Sequence, residues 1–234
     1  MLKSALMTAT LCLLVGVVAS AETTTASIFA VGETAGKPRF TQATEKSTAD
    51  GKLIWKSVIK DLAGAVMMTE DVVMKDGVVL SHQIDHLQIN ERYELAFENK
   101  KAVFKTFKLS NGKVEQTDTS VRDIPETFVM GPSTESFLVK HLDELANKKS
   151  VKADFGVFEL GRFVSFRFSG IANDGEKLEI KMKPANFIVA ALVDPIKIIL
   201  DKSKRRIVYL KGRTPLREMK NGKSKPFDAE IIYH

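Results

Sequence analysis

Between Arg39 and Thr119 the sequence is punctuated by Asp50-Gly51, Asp76-Gly77, Glu98-Asn99-Lys100 and Asn111-Gly112. Dipeptides of the Asp-Gly and Asn-Gly kind tolerate the positive φ that a two-residue hairpin turn demands. The runs they bound, Lys52 to Asp61, Ala65 to Lys75, Val78 to Ile89, Arg92 to Phe97 and Ala102 to Leu109, are strand-like, with no helix-length break between them. Strands joined by such short turns have to be antiparallel neighbours. The sequence thus predicts a meander of hairpins in an antiparallel sheet.

Ser133 to Ala146 breaks that pattern, because Phe137, Leu138, His141, Leu142 and Leu145 recur at helical spacing behind Gly131-Pro132-Ser133. Ser133 is expected to cap this helix and Glu135 to suit its positive start. Strands resume at Val151 to Glu159, Arg162 to Ser169, Lys177 to Lys183, Ile196 to Leu200, Arg206 to Lys211 and Phe227 to Tyr233, with Asn173-Asp174-Gly175 as a further turn. Val164, Phe166 and Phe168 fall on one face of their strand, and Leu178, Ile180 and Met182 alternate with charged residues on theirs, so each has one wet face. The apolar run FIVAALV from Phe187 to Val193 reads either as a buried strand or as a short helix. The fold class expected is mainly β (β-rich α+β). Roughly ten strands would form a strongly curved antiparallel sheet or half-barrel, with one main helix at about residues 133–147.

The first residues predict export. Lys3 precedes an apolar run from Ala5 to Ala19, too short for a comfortable transmembrane span, and Ala19-Ser20-Ala21 has the small-x-small form of a signal peptidase site. Residues 1–21 are therefore expected to be a signal peptide cleaved before Glu22, residues 22–37 a Thr-, Ala- and Gly-rich lead-in, and residues 38–234 a single β-rich domain. Cys12, the one cysteine, lies within the apolar run and follows Leu11, which does not suit lipid attachment. Its loss would leave no disulfide, no thiol nucleophile and no thiolate ligand. A chain of this size without disulfides must rely on its packed core, which suits a Gram-negative periplasm or secretion.

The formal net charge is +6, and it is concentrated: Lys197 to Lys225 holds eleven Lys or Arg against Asp201 and Glu218. Such a segment suits an anionic partner. Export leaves lipid headgroups or an acidic protein as the partners to expect, and not nucleic acid. Arg205, Arg206, Lys211 and Arg213 are the candidate contacts to an anionic membrane surface, and Phe187, Ile188, Leu192 and Trp55 the candidate contacts to a lipid or acyl chain. Trp55, Phe97, Phe104 and Phe107 are core residues first and ligand contacts second.

The residues offer no catalytic signature. His82 and His86 share a strand face with Leu80 and Ile84 but stand roughly 13 Å apart at strand rise, too far to share a metal ion, and Asp85 points the other way. His141 lies on the apolar face of the helix. Gly131-Pro132-Ser133 is not a nucleophile elbow, since Glu135 stands where a glycine is needed. Asn173-Asp174-Gly175-Glu176 is read as a turn and not a calcium loop. No catalytic residue, metal or cofactor is expected.

Three segments, GPSTESFLVKHLDEL at Gly131 to Leu145, VKADFGVFELGRFVSFRF at Val151 to Phe168, and KPANFIVAALVDPIKIILD at Lys183 to Asp201, continue into RRIVYLKG at Arg205 to Gly212. This pattern resembles that of an uncharacterised family of exported Gram-negative proteins, with Leu142 where that family has an aromatic and Ala185 where it has serine. The order of sheet and helix is also similar to the unclosed half-barrel of periplasmic lipoprotein carriers and outer-membrane lipoprotein receptors. That likeness implies a concave apolar face for a ligand. The reading that follows is a monomeric periplasmic binding protein for a lipid, acyl chain or lipidated partner. Its alternatives are an envelope enzyme with a carboxylate-based site and a structural or assembly factor acting by sheet-edge pairing.

Overall fold

The computed structural model describes residues 22–110, 112–186, 194–220 and 223–234. The predicted signal peptide and the run from Phe187 to Val193 lie outside the described residues. The first strands are Glu22–Ala30 (β1), Phe40–Ala49 (β2), Lys52–Asp61 (β3), Val66–Lys75 (β4), Val78–His86 (β5), Glu91–Glu98 (β6), Lys101–Ser110 (β7) and Lys113–Asp123 (β8). After them come Phe128–Val129 (β9), Ser150–Val157 (β10), Arg162–Asn173 (β11), Lys177–Pro184 (β12), Ile196–Asp201 (β13), Arg206–Lys220 (β14) and Lys223–Tyr233 (β15). Two short helices, Ser133–Lys140 (α1) and Leu142–Ala146 (α2), and a 3-10 turn at Phe158–Leu160 complete the described elements.

All fifteen strands belong to one sheet in the order β8-β7-β6-β5-β4-β3-β2-β1-β15-β14-β13-β12-β11-β10-β9. Every neighbouring pair is antiparallel except β9 and β10. The mainly β, strongly curved antiparallel architecture is thus as expected, with more strands than the sequence reading counted. Three predicted turns have positive φ at both central residues: Asp50 and Gly51 at 51° and 69°, Asp76 and Gly77 at 52° and 78°, Asn99 and Lys100 at 50° and 60°. That geometry matches the right-handed twist of the flanking strands, which is why these hairpins close so tightly.

The lead-in expected at residues 22–37 is corrected by β1, which lies mid-sheet between β2 and β15. Its sequence ETTTASIFA buries Ala26 and Ile28 at alternate positions, but the threonines dilute the period-two signal. The helix is also corrected. It breaks at His141, whose φ of −101° and ψ of 21° leave the helical region. Ser133 is its first residue and not its cap: the Ser133 hydroxyl accepts from Met130 N–H at 2.8 Å and donates to Met130 C=O at 2.9 Å. Glu135 accepts from Ile207 N–H at 2.8 Å, tying α1 to β14.

Two apolar clusters hold the fold together. One fills the barrel formed by β1 to β7 with β14 and β15, and includes Ile28, Ile59, Met68, Val72, Leu95 and Phe104. The other packs α1 and α2, through Phe137, Leu138 and Leu145, onto Phe168, Leu178, Ile180 and Leu200 of the later strands. β11 has an apolar residue in each: Phe168 in the helical cluster, Phe163 against the barrel cluster. The face opposite Phe166 and Phe168 is exposed at Ser165 and Arg167, as expected, and only Phe163 interrupts it. At burial free energies of about 1.5–3 kcal/mol per large side chain, each cluster is a major term in the stability of its half.

β14 runs well past the predicted Lys211. Its register with β15 slips between Arg213 and Arg217, and this irregularity accommodates Pro215, which has no N–H to give a ladder. Beyond the slip the hairpin bends over the end of the barrel. His86 Nε2 donates to Pro215 C=O at 2.8 Å, Gln88 Nε2 donates to Arg217 C=O at 2.9 Å, and Arg217 N–H donates to Gln88 Oε1 at 3.0 Å. Leu216 and Phe227 are buried beneath this strap, with Phe227 edge-on to Phe40 at 5.5 Å.

Candidate functional site

The linear strand order leaves β8 and β9 as the two ends of the sheet, so among the described residues no ladder joins one end to the other. The sheet curls until these parts meet through side chains. Phe97 lies 5.6 Å from Phe128, Phe128 lies 5.3 Å from Phe163, and Phe104 lies 5.3 Å from Phe163, measured between ring centroids. Deeper in, Phe158 on the 3-10 turn contacts Phe104 at 6.1 Å, Tyr93 at 5.7 Å and His82 at 5.0 Å. Phe104 and Phe158 are buried, whereas Phe97, Phe128 and Phe163 remain partly exposed. The result is a seam of aromatic rings that runs from the surface into the barrel.

The chain places this seam by local rules. Gly161, in the left-handed region at φ 53°, ends the 3-10 turn and starts β11; its hydrogen sits against Ser120 of β8, where a Cβ would approach the serine Oγ to 2.8 Å. Gly156 does the same beside the buried Met130, leaving no room for any side chain. Both glycines permit the close approach that brings Phe158 inward.

Polar groups at the base of the seam are few and buried. His82 Nε2 donates to Glu70 Oε1 at 2.8 Å, while His82 Nδ1 and His86 Nδ1 have no hydrogen-bond partner among the described residues. Tyr93 donates its hydroxyl to Glu91, and burial, reinforced by that carboxylate, pushes the phenol above its ordinary range. These groups hold one another or the backbone. Among the described residues no cluster of three His, Cys, Asp or Glu is arranged to hold a metal ion. Open hollows of about 300 and 310 Å³ lie away from the seam, one beside Ser27 and Gln42, the other between Gly77 and Ser136.

The residues singled out in the sequence are dispersed. Trp55, half-buried on β3, donates from Nε1 to Ser57 Oγ at 3.0 Å and carries Lys46 Nζ at 4.4 Å from its ring centroid. Phe187, Ile188 and Leu192 lie outside the described residues. Arg205 is exposed in the turn before β14, and Arg206 donates to the His234 C=O at 3.5 Å. Lys211 pairs with Glu230 at 3.1 Å and Arg213 with Asp228 at 2.5 Å. β15 and β12 thus supply acids, Asp228, Glu230 and Glu179, to a segment that is strongly basic when read alone. Arg206 and Lys220 also stand at opposite ends of one strand, so the two ends of the segment cannot meet a single flat surface. His141 hydrogen-bonds Glu144 at 2.7 Å. Leu80, expected beside His82, is exposed, because a register slip between Val73 and Met74 reverses its face. Phe128, Phe158 and Phe163 were not apparent as site residues. The legible hint was Phe163, out of phase with Phe166 and Phe168.

No protein-family model matches the chain, and no curated protein matches it. Among solved structures, the chain is similar to a beta-barrel-like protein of a domain of unknown function, DUF1849, from Brucella abortus. The match is at 11% identity with a TM-score of 0.32, over 91% of this chain and 93% of that one. The likeness is distant and assigns no activity.

Proposed function

We propose that this protein is a non-catalytic binding module of the bacterial cell envelope that takes an acyl chain, free or attached to a lipidated partner, into the aromatic seam. The observation that carries this reading is that the seam is closed by ring contacts and not by a backbone ladder. Parting it costs no backbone hydrogen bond. Ring pairs contribute about 0.5–1.5 kcal/mol each beyond their buried area, whereas a buried acyl chain gains about 0.8 kcal/mol per methylene. About ten methylenes therefore outweigh the few pairs they displace. The partly exposed Phe97, Phe128 and Phe163 would meet the chain first, with Phe158 moving aside.

The test is titration of the purified protein with a fluorescent long-chain fatty acid, with displacement by unlabelled hexadecanoate. Saturable binding is expected, weakened several-fold or more by Phe163→Ala. No uptake by the unmodified protein, or uptake indifferent to Phe163, overturns the reading. A second reading, sheet-edge pairing, draws on β8, an edge strand of eleven residues exposed along nearly its whole length. It predicts concentration-dependent association abolished by Thr117→Pro, with acyl probes without effect.

A further inference from the structure

We infer that the end of the barrel spanned by the β14–β15 strap is a docking surface for an anionic lipid bilayer. The inference is independent of the acyl-chain reading. Strand direction fixes which turns share this end: β1–β2, β3–β4, β5–β6, β7–β8 and β14–β15 turn there, while the tight turns at Asp50-Gly51, Asp76-Gly77 and Asn99-Lys100 lie at the other. The bonds from Gln88 and His86 to Arg217 and Pro215 draw the β5–β6 and β14–β15 turns together across the mouth.

Four of these hairpins offer a large apolar side chain to water at or near the tip: Val31 is 44% exposed, Leu62 61%, Leu87 40% and Met219 72%. Isolated exposed leucines are ordinary, but one at each of four converging hairpins marks an interaction surface. At the other end the turns themselves are polar, with Val78 following one of them.

Charge selects the occupant. Lys37, Lys60 and Lys225 are exposed at or near this end and form no ion pair among the described residues. The acids nearby are largely engaged. Glu33 pairs with Arg39 at 3.1 Å, Asp61 Oδ1 accepts from the N–H groups of Ala63 and Ala65 at 2.9 Å, and Glu91 holds Tyr93; Glu218 stands opposite Lys225 in the ladder. Aliphatic tips ringed by free lysines fit a bilayer interface: the tips enter below the headgroups while the ammonium groups remain among the phosphates. The exposed Arg205 and the half-buried Arg206 belong to the opposite end and would lie away from that bilayer.

The test is co-sedimentation with phosphatidylcholine vesicles with and without phosphatidylglycerol, at low and high salt. The unmodified protein should bind the anionic vesicles preferentially, and salt should weaken that binding. Leu62→Asp with Met219→Asp should lower binding at least tenfold, and so should Lys37→Glu with Lys60→Glu. Arg205→Glu with Arg206→Glu should leave it within about twofold, because membrane attraction falls off within a Debye length. Circular dichroism checks folding; if the Leu62 and Met219 variant unfolds, Leu62→Ser with Val31→Ser takes its place. Fatty-acid titration should be unchanged in all of these variants, which separates this surface from the seam. Equal binding to neutral vesicles, no binding, or loss of binding in the Arg205 and Arg206 variant alone overturns the inference.

Discussion

His82 Nε2 lies 2.8 Å from Glu70 Oε1, and the histidine side chain is almost wholly enclosed. The two residues meet diagonally across β4 and β5, with Gly131 packed on the pair: a Cβ on Gly131 would come within 2.8 Å of Glu70 Oε1 and 3.0 Å of His82 Cε1. Glu70→Leu removes the acceptor and leaves a buried ring N–H unsatisfied, a loss of about 1–3 kcal/mol. Glu70→Gln keeps an acceptor oxygen and should cost less. Urea denaturation of the two variants checks the order, and equal losses would show that Glu70 does not serve His82 as a hydrogen-bond acceptor.

The strap depends on Gln88, whose side chain both donates to and accepts from the Arg217 backbone. Gln88→Ala removes two hydrogen bonds at about 0.5–1.5 kcal/mol each. Because the strap is a peripheral hairpin, the effect should be local. Hydrogen exchange should accelerate in residues 214–228 while β3 and β4 keep their protection. Uniform acceleration across the sheet would mean that the strap is part of the global folding unit.

Gly170 packs directly against the backbone of the helix pair. A Cβ there would lie 1.8 Å from the Leu145 carbonyl oxygen, a backbone atom that cannot turn aside. Gly170→Ala should therefore push α2 off β11 and destabilise by about 3 kcal/mol or more, in the range of severe overpacking. Gly51→Ala meets nothing within 4 Å and is opposed only by its φ of 69°, so it should cost about 1 kcal/mol. Thermal melts compare the two, and a smaller loss at Gly170 would contradict the packing.

Much of the sheet was legible because its determinants are local. Asp50-Gly51 and Asp76-Gly77 write their turns into two residues, and β3 ends where its sequence run ends, at Lys52 and Asp61. β1 was hidden because three consecutive threonines suit a loop as well as a strand until β2 and β15 supply partners. The far part of β14 was hidden by Pro215, which argues against a strand unless the ladder slips there. The seam was illegible for another reason: Phe97 and Phe128 meet only after the whole sheet has curled, and no local pattern encodes that approach. Likewise three of the eleven cations of the basic run from Lys197 are paired by acids from neighbouring strands, Lys197 by Glu179 and Lys211 and Arg213 by their ladder partners Glu230 and Asp228.

Glu230 gives the last prediction, one of acid sensitivity. Its carboxyl is nearly buried, which by itself raises its pKa. Gly32 N–H at 2.9 Å, Tyr209 hydroxyl at 2.8 Å and Lys211 Nζ at 3.1 Å outweigh burial and hold it below the ordinary carboxylate range. A carboxyl depressed in the folded state stabilises fully above its unfolded pKa of about 4.3, and that contribution disappears as the pH falls through the lower folded value. Glu230→Gln should thus be destabilised relative to the unmodified protein at pH 7, by about 1–3 kcal/mol for a buried charge-assisted network, and the gap should narrow in acid. On the alkaline side Tyr209, pushed up to about 12 by burial and then by Glu230, works in the opposite sense. Its contribution is complete below its unfolded pKa of about 10 and is lost as the pH rises through the folded value. Urea midpoints at pH 7 and in acid, for the unmodified protein and Glu230→Gln, decide the first claim. A gap of the same size at both would mean that Glu230 binds its partners without any net preference for the ionised form.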